Sequence, residues 1–329
     1  MRAAFSTRAT ALILYKLAVA TLLVAAAGGR ALAGDGGNDG KTPNPAPSRG
    51  TTTNMKVANF DEALLAALAR RGAGASRVTC DGRDPVARRI LNEYGAVFFA
   101  SGGALPPPVC IFAGAEEVET FQRAARVETQ EIGRVSIELQ PAAMRALLAA
   151  RAETQVEGLD ITPRDGSESA RRGYADTVRL WNSRLLPALE YWRAQGRLSD
   201  EEAERVRSLP VREQIGAVLE LEGVGLYFSK DFSKSILYSV AAPGASQHLS
   251  LLAFDVAEYG DERVRQVLAR HGWFRTVRSD CPHFTYLGLP ECRLPAHGLK
   301  KIETRDGEFW VPNSSDAEVE LQSGLARKN

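Results

Sequence analysis

The chain has 329 residues, of which 44% are hydrophobic and 25% are charged, so it can bury a sizeable core and does not have the composition of a disordered tail. Lysine and arginine number 41 against 40 aspartates and glutamates, and the formal net charge is +1. With so little net charge, the protein has no long-range electrostatic field that could attract a polyanion. This argues against nucleic acid or an anionic membrane surface as a partner. Recognition is therefore expected to be local.

The first 33 residues have the features of a secretory signal peptide. Arg2 and Arg8 precede an apolar run over residues 17–27, and Ala31-Leu32-Ala33 offers a small-residue cleavage site. Lys16 interrupts the apolar stretch, which leaves it well short of the ~20 residues that a spanning helix needs. We therefore predict a periplasmic or secreted protein with no stable membrane insertion after this segment is cleaved.

The predicted export indicates that the four cysteines form disulfides, because thiols in an oxidising compartment tend to pair. Cys80 with Cys110 and Cys281 with Cys292 are the pairs closest in sequence. Four cysteines allow three connectivities, and the sequence does not choose among them. A rival interpretation makes Cys281 a zinc ligand.

Residues 34–54 are predicted to be a disordered linker, since they contain almost no large apolar residue that could offset chain entropy by burial. Residues 55–150 follow as a mixed α/β N-terminal region without a recognisable role. A helix is predicted to begin after Asn59, and another at Pro141, where the fixed φ of proline suits a first helical position. Residues 159–162 are strand-like.

The middle third of the chain is predicted to be mainly helical. A long amphipathic helix is expected over residues 167–186, ending before Pro187. Ser199 and Glu202 have the spacing of a capping box that opens another helix, and Pro210 begins a third.

The last third alternates between short apolar, β-branched runs and turn residues, a pattern typical of strands. One helix is predicted between them, because Val264, Val267 and Leu268 are spaced at i, i+3 and i+4 and Gly272 follows as a stop. Residues 151–329 are therefore predicted to be an α+β domain with a small antiparallel sheet and flanking helices. The five predicted strands cover residues 226–228, 236–240, 252–256, 273–277 and 284–287.

Two imidazoles and a carboxylate in the last third are candidate metal ligands: His248, Asp255 and His283. Catalytic zinc usually has three protein ligands of this kind and keeps a fourth position open. His248 and Asp255 are seven residues apart, and an odd separation in a straight strand points side chains to opposite faces. The chain must therefore bend or bulge between them.

The residues around these ligands form two blocks, Ser-x-His-x-x-Leu-x-Ala-x-Asp over 246–255 and Asp-Cys-Pro-His-Phe-x-Tyr over 280–286. Together with Gly272-Trp-Phe, they resemble the VanY-like D-alanyl-D-alanine carboxypeptidases, zinc peptidases whose fold is shared with VanX dipeptidases and the hedgehog signalling domain. The resemblance covers about residues 155–290. The resemblance implies a Zn²⁺ ion bound at the small antiparallel sheet of the predicted α+β domain. It also implies that peptidoglycan peptides are the partners of the protein.

The resemblance also implies roles for single residues. His248, Asp255 and His283 would be the zinc ligands, and Ser246 would order the ligand loop beside the substrate. Asp280 falls where the family has its catalytic Glu, and we predict that it moves the proton in peptide hydrolysis.

Arg164 is the candidate for binding the terminal carboxylate of a substrate, because a bidentate guanidinium is the natural partner of that group. The family has a Ser-Gly-Tyr-Arg-Ser segment in a comparable setting. Two departures from the pattern are Leu251, where the family has Gly, and Asp280, which is one methylene shorter than Glu.

The predicted function is a zinc-dependent carboxypeptidase that trims D-alanyl-D-alanine-type termini from peptidoglycan stem peptides. Two alternatives remain at this point. One is an endopeptidase acting on wall cross-links, and the other is a cell-wall-binding protein that keeps the fold but turns over weakly. His271 is predicted to be a structural residue rather than a ligand, because it ends a helix just before Gly272. His297 is predicted to be a loop residue, with an approach to the cleft as the alternative.

Overall fold

The computed structural model describes residues 57–70, 80, 83–278 and 280–314. The predicted signal peptide and the linker over residues 34–54 lie outside these residues. The described part contains helices and small antiparallel sheets, so the α+β class is confirmed. The helices are α1 (Phe60–Arg70), α2 (Pro85–Tyr94), α3 (Ala115–Ala125), α4 (Pro141–Val156), α5 (Tyr174–Ala194), α6 (Asp200–Ser208), α7 (Val211–Gly223) and α8 (Glu262–Arg270). The strands are β1 (Glu128–Ile132), β2 (Val135–Leu139), β3 (Ala253–Asp255), β4 (Trp273–Phe274), β5 (His283–Tyr286), β6 (Leu299–Thr304) and β7 (Gly307–Pro312).

Helix starts follow their local chemistry. The Asn59 side chain accepts hydrogen bonds from the amides of Asp61 and Glu62 at the start of α1. The capping box of α6 is complete, with Ser199 and Glu202 each accepting the amide of the other. These predicted helix starts are confirmed.

Helix α5 departs from the prediction at both ends, because it begins at Tyr174 and continues through Pro187 to Ala194. Proline inside a helix costs about 3 kcal/mol, since it removes a hydrogen bond to the carbonyl four residues back. Here that carbonyl, on Ser183, accepts from the Arg184 guanidinium at 3.4 Å. Leu189 and Trp192 beyond the proline are buried, and each large apolar side chain contributes about 1.5–3 kcal/mol. The free energy gained by burying Leu189 and Trp192 therefore exceeds the cost of Pro187 inside the helix.

A three-stranded antiparallel sheet with the order β3-β5-β4 carries the predicted strand, helix, strand, strand succession, with α8 between β3 and β4. In its register, Asp255 lies opposite His283. Hairpins β1-β2 and β6-β7 form two further sheets, and neither was predicted as a hairpin. The turn of β1-β2 places Gly133 and Arg134 at φ 58° and 65°, and a Gly-Arg pair is a weak signal for such a turn.

Three segments predicted as strands are not strands, because side chains rather than a neighbouring strand bind their amides. The Glu222 carboxylate accepts from the amides of Phe228 and Ile236 at 3.3 and 2.6 Å, and residues 236–238 form a 3-10 helix. In the segment over 159–162, the Thr162 amide donates to the Glu258 side chain at 2.8 Å. The Thr162 carbonyl accepts from the Ala257 amide at 2.9 Å, and Pro163 forms an isolated bridge with Val256, so this segment pairs beside β3 without forming a regular strand.

Residues on both sides of position 150 share the larger hydrophobic core, which extends from Phe60 through Met144 and Phe254 to Trp310. A second core lies among α5, α6 and α7 and includes Trp181. No helix within the described ranges is long and apolar enough to cross a membrane.

Cys80 and Cys110 form a disulfide, whereas Cys281 and Cys292 are free. Of the two local pairings, the second is therefore wrong. The Cys110 segment leads directly to Phe112, whose amide donates to the Gly244 carbonyl at 2.9 Å. Gly244 has φ 79°, and a Cβ there would collide with the Phe112 carbonyl oxygen, so this contact requires glycine.

The bend expected between His248 and Asp255 is a 3-10 helix, Gln247–Ser250, followed by Leu251 in the left-handed region at φ 60° and ψ 26°. This conformation costs a non-glycine residue about 1–2 kcal/mol. Leu251 is completely buried, and burial of a leucine side chain contributes more than this strain. A leucine is therefore stable where the family pattern has glycine.

This balance predicts an inverted stability order for two substitutions. Leu251→Ala loses the buried side chain but keeps the strain, so it should lower the free energy of unfolding by about 2–5 kcal/mol. Leu251→Gly loses the same packing but relieves the strain, and it should be more stable than the alanine variant by roughly 0.5–1 kcal/mol. Urea denaturation measures both values. An alanine variant more stable than the glycine variant would contradict this account.

Candidate metal centre

Three elements converge on one buried point. His248 lies in the 3-10 helix, Asp255 ends β3 and His283 begins β5. The antiparallel register places Asp255 directly opposite His283, and the left-handed turn at Leu251 returns the chain so that His248 faces the same point. The three residues are 4% exposed or less.

The three donor atoms form a small triangle. Asp255 Oδ1 lies 3.1 Å from His283 Nδ1 and 3.3 Å from His248 Nε2, and the two imidazole nitrogens are 3.1 Å apart. The three residues thus form a group that could hold a metal ion.

The outer nitrogens of both imidazoles are bound to acceptors, and this fixes the tautomers. His248 Nδ1 lies 3.0 Å from the Ala170 carbonyl oxygen, so it must donate. His283 Nε2 lies 2.8 Å from Gln247 Oε1. The amide of Gln247 is oriented by its own donation to the Tyr94 carbonyl at 2.9 Å. Each imidazole therefore directs an unprotonated nitrogen into the triangle.

The dimensions of the triangle fit a tetrahedral metal ion. Metal–ligand bonds of about 2.0–2.1 Å at tetrahedral angles place neighbouring donors about 3.3 Å apart, and the measured separations are 3.1–3.3 Å. Without a cation, three lone pairs would face one another at these distances in a buried site. The donor set therefore suits a small divalent cation, with a fourth direction left for another ligand.

Electrostatics keep the donors in their binding forms. Burial, assisted by the charge of Arg172, lowers the pKa of His248 to about 4, so the imidazole is neutral at pH 7. Burial acts to raise the pKa of Asp255, but that pKa lies well below the usual range, and Arg172 Nη2 donates to its Oδ2 at 2.8 Å. Asp255 is therefore an anionic donor.

Asp280 lies close enough to the triangle for His283 and Asp255 to affect its ionisation. Asp280 is exposed to solvent as a residue. Desolvation of its carboxylate raises the pKa of Asp280, an effect that the charge of His283 opposes and that the negative charge of Asp255 reinforces. The group is thus a stronger proton acceptor than an ordinary aspartate.

The other predicted residues also lie near the donors. The Arg164 amide donates to the Asp255 carbonyl at 3.0 Å, and its guanidinium lies over the Tyr259 ring at 5.4 Å with its side chain 43% exposed. Ser246 is buried at the N-cap of the 3-10 helix and makes no side-chain capping bond. Cys281 is not among the three grouped donors.

Sequence reasoning missed two residues of the site. Arg172 Nη2 donates to Asp255 Oδ2 at 2.8 Å, and Gln247 sets the tautomer of His283. Arg172 sits in an irregular segment that looked like part of a helix, and Gln247 lies inside the recognised block at a position the pattern leaves open. No motif or spacing in the sequence marked Arg172 or Gln247 as part of the site.

A cavity of about 260 Å³ lies beside the segment that supports the donors. None of the three metal donors lines it, so it does not define the metal centre. Its lining comprises Ser136, Glu138, Ser167, Arg171, Gly173 and Asp176.

A scan against models of known protein families finds no match, and a search among curated proteins finds none either. The resemblance to VanY-like carboxypeptidases therefore depends on the residues quoted above.

The lowered pKa of His248 predicts acid sensitivity of the metal-free protein. Between pH 6.5 and 4, the unfolded chain takes up a proton at this imidazole and the folded chain does not, so stability falls as the pH is lowered through that window. The loss should be on the order of 3 kcal/mol. Denaturation of chelator-treated protein across this range measures it.

His248→Gln should flatten this dependence, because the titrating group is gone. Equal slopes in wild type and the His248→Gln variant would show that another group is responsible.

Proposed function

We propose that this protein is an exported zinc-dependent carboxypeptidase that cleaves D-alanyl-D-alanine-type termini of peptidoglycan stem peptides. The observation that carries the proposal is the triangle of His248, Asp255 and His283, whose unprotonated donors have the spacing of three corners of a tetrahedron. Zinc suits two nitrogens and one oxygen at these distances. Three protein ligands, rather than four, favour catalysis over a purely structural ion.

A divalent cation held by His248, Asp255 and His283 would supply Lewis acidity for peptide hydrolysis. Asp280 supplies the proton transfer: its carboxylate takes a proton from the attacking water and passes it to the leaving amine. The raised pKa of Asp280 makes its carboxylate a better proton acceptor than that of an ordinary aspartate. Its partial exposure leaves room for substrate beside it.

Arg164 supports the choice of a carboxypeptidase. Its guanidinium is stacked over Tyr259, and its ion pair with Asp165 is long at 3.8 Å. Because Arg164 contributes to the electrostatic environment of Asp280, its charge lies near the proposed site of proton transfer. A cation so placed can bind a substrate carboxylate with two parallel hydrogen bonds.

Peptidoglycan as substrate follows from the family resemblance and from the proposed export. The Cys80–Cys110 disulfide supports export, since structural disulfides persist in oxidising compartments. The residues of the site specify hydrolysis more directly than they specify the D-alanyl group.

The decisive experiment combines metal analysis with product analysis on defined muropeptides. Wild-type protein should contain about one zinc per chain and release terminal D-alanine from a pentapeptide, and chelator should stop the release. Asp280→Asn should retain the zinc but lower kcat by at least about 100-fold, since it removes the proton acceptor without removing a ligand. Zinc-loaded protein that binds muropeptides without product would instead favour the wall-binding alternative.

Arg164→Ala distinguishes trimming of termini from internal cleavage. Loss of the carboxylate partner should reduce kcat/KM on a free peptide terminus by about 10–100-fold, while a substrate with an amidated terminus should change little. Arg263→Ala, which alters a surface pair with Asp261 on α8, is the control. Equal losses on both substrates would remove Arg164 from carboxylate recognition.

A further inference from the structure

We propose that Arg172 is a positioning residue that restricts Asp255 to one metal-binding oxygen and thereby selects a small, four-coordinate ion. This inference rests on the metal site of the proposed function, but it does not depend on which bond is cleaved.

The two oxygens of Asp255 have different partners. Oδ1 faces His283 Nδ1 at 3.1 Å and His248 Nε2 at 3.3 Å. Oδ2 instead accepts from Arg172 Nη2 at 2.8 Å, within the range of a charge-assisted hydrogen bond. Because Asp255 is 4% exposed, solvent offers little competition for Oδ2. The carboxylate is thus oriented to offer one oxygen to an ion.

Arg172 is itself held in place. Its Nε donates to the Glu168 carbonyl at 3.0 Å, and its side chain is 18% exposed. Its own carbonyl accepts from Gln122 Nε2 at 3.0 Å, and the same amide nitrogen donates to the carbonyl of Leu249, next to His248, at 3.1 Å. Gln122 therefore ties the backbone of the arginine to the backbone of a metal ligand.

The consequence is a constraint on coordination number. A carboxylate free to turn can bind through both oxygens, which suits larger ions that take six or more oxygen ligands. A carboxylate with one oxygen occupied provides a single donor, so the site supplies three donors and suits tetrahedral zinc. The guanidinium also offsets the charge of Asp255, which makes the donor set with Arg172 electrically neutral.

The test uses Co²⁺ as a spectroscopic probe, because its visible absorption is intense in four-coordinate sites and weaker at higher coordination. Wild-type protein with Co²⁺ should show the intense band. Arg172→Gln should weaken it and should lower zinc affinity by about 10–100-fold, measured against a chromophoric chelator. Arg172→Lys, which keeps the charge but not the fork geometry, should lie between them.

Arg193→Gln is the matched control. That guanidinium pairs with Glu190 and Asp200 at the surface of α5 and α6, so this variant should keep the wild-type spectrum and affinity. An Arg172→Gln variant that also keeps both would overturn the proposal.

X-ray absorption at the zinc edge of the wild-type protein gives an answer that does not require a folded variant. Four light atoms in the first shell are expected, and a five-atom shell containing both Asp255 oxygens would overturn the inference. Wild-type protein that takes up neither ion would overturn the metal site as well. Protein that binds zinc in the expected geometry but releases no amino acid would contradict the proposed carboxypeptidase activity and leave the inference about Arg172 standing.

Discussion

The structure of the site depends on one constraint: three buried electron-pair donors point at one another. Pairing of β3 with β5 sets Asp255 opposite His283, and the 3-10 helix brings His248 to the same point. Buried acceptors at such distances repel unless a proton or a cation lies between them. The bonds to Ala170 and Gln247 occupy the outward protons of the imidazoles, and a cation bound between the three donors would satisfy all of them.

The supporting residues give this arrangement its rigidity. Gln247 is held by the Tyr94 carbonyl, and Arg172 is held by the Glu168 carbonyl. The donors are therefore positioned by backbone groups that belong to helices, turns and irregular segments far apart in sequence. Orientation of ligands by such outer contacts is a general feature of metal sites.

The convergence of His248, Asp255 and His283 could be predicted from the sequence because residue type and spacing carry the necessary information. The α+β class and several helix starts could also be predicted, since caps such as Asn59 and Ser199 act locally. The course of α5 could not, because the burial of Leu189 and Trp192 that offsets Pro187 is a tertiary effect. The strand-like runs at 226–228 and 236–240 were misleading, since a single carboxylate on Glu222 takes the place of a strand partner. Arg172 gave no signal because its role depends on a contact 83 residues away.

The glycine contact between Phe112 and Gly244 bears on how the chain can be divided. Gly244 lies four residues before His248, and Phe112 lies two residues beyond a cysteine that is covalently tied to Cys80. Phe112 also packs in the same small cluster as Leu249. A fragment that starts after residue 113 would lose this support for the ligand loop. The region before α4 therefore helps to position the loop that bears His248, and the folded unit cannot be shortened to the part that carries the candidate ligands.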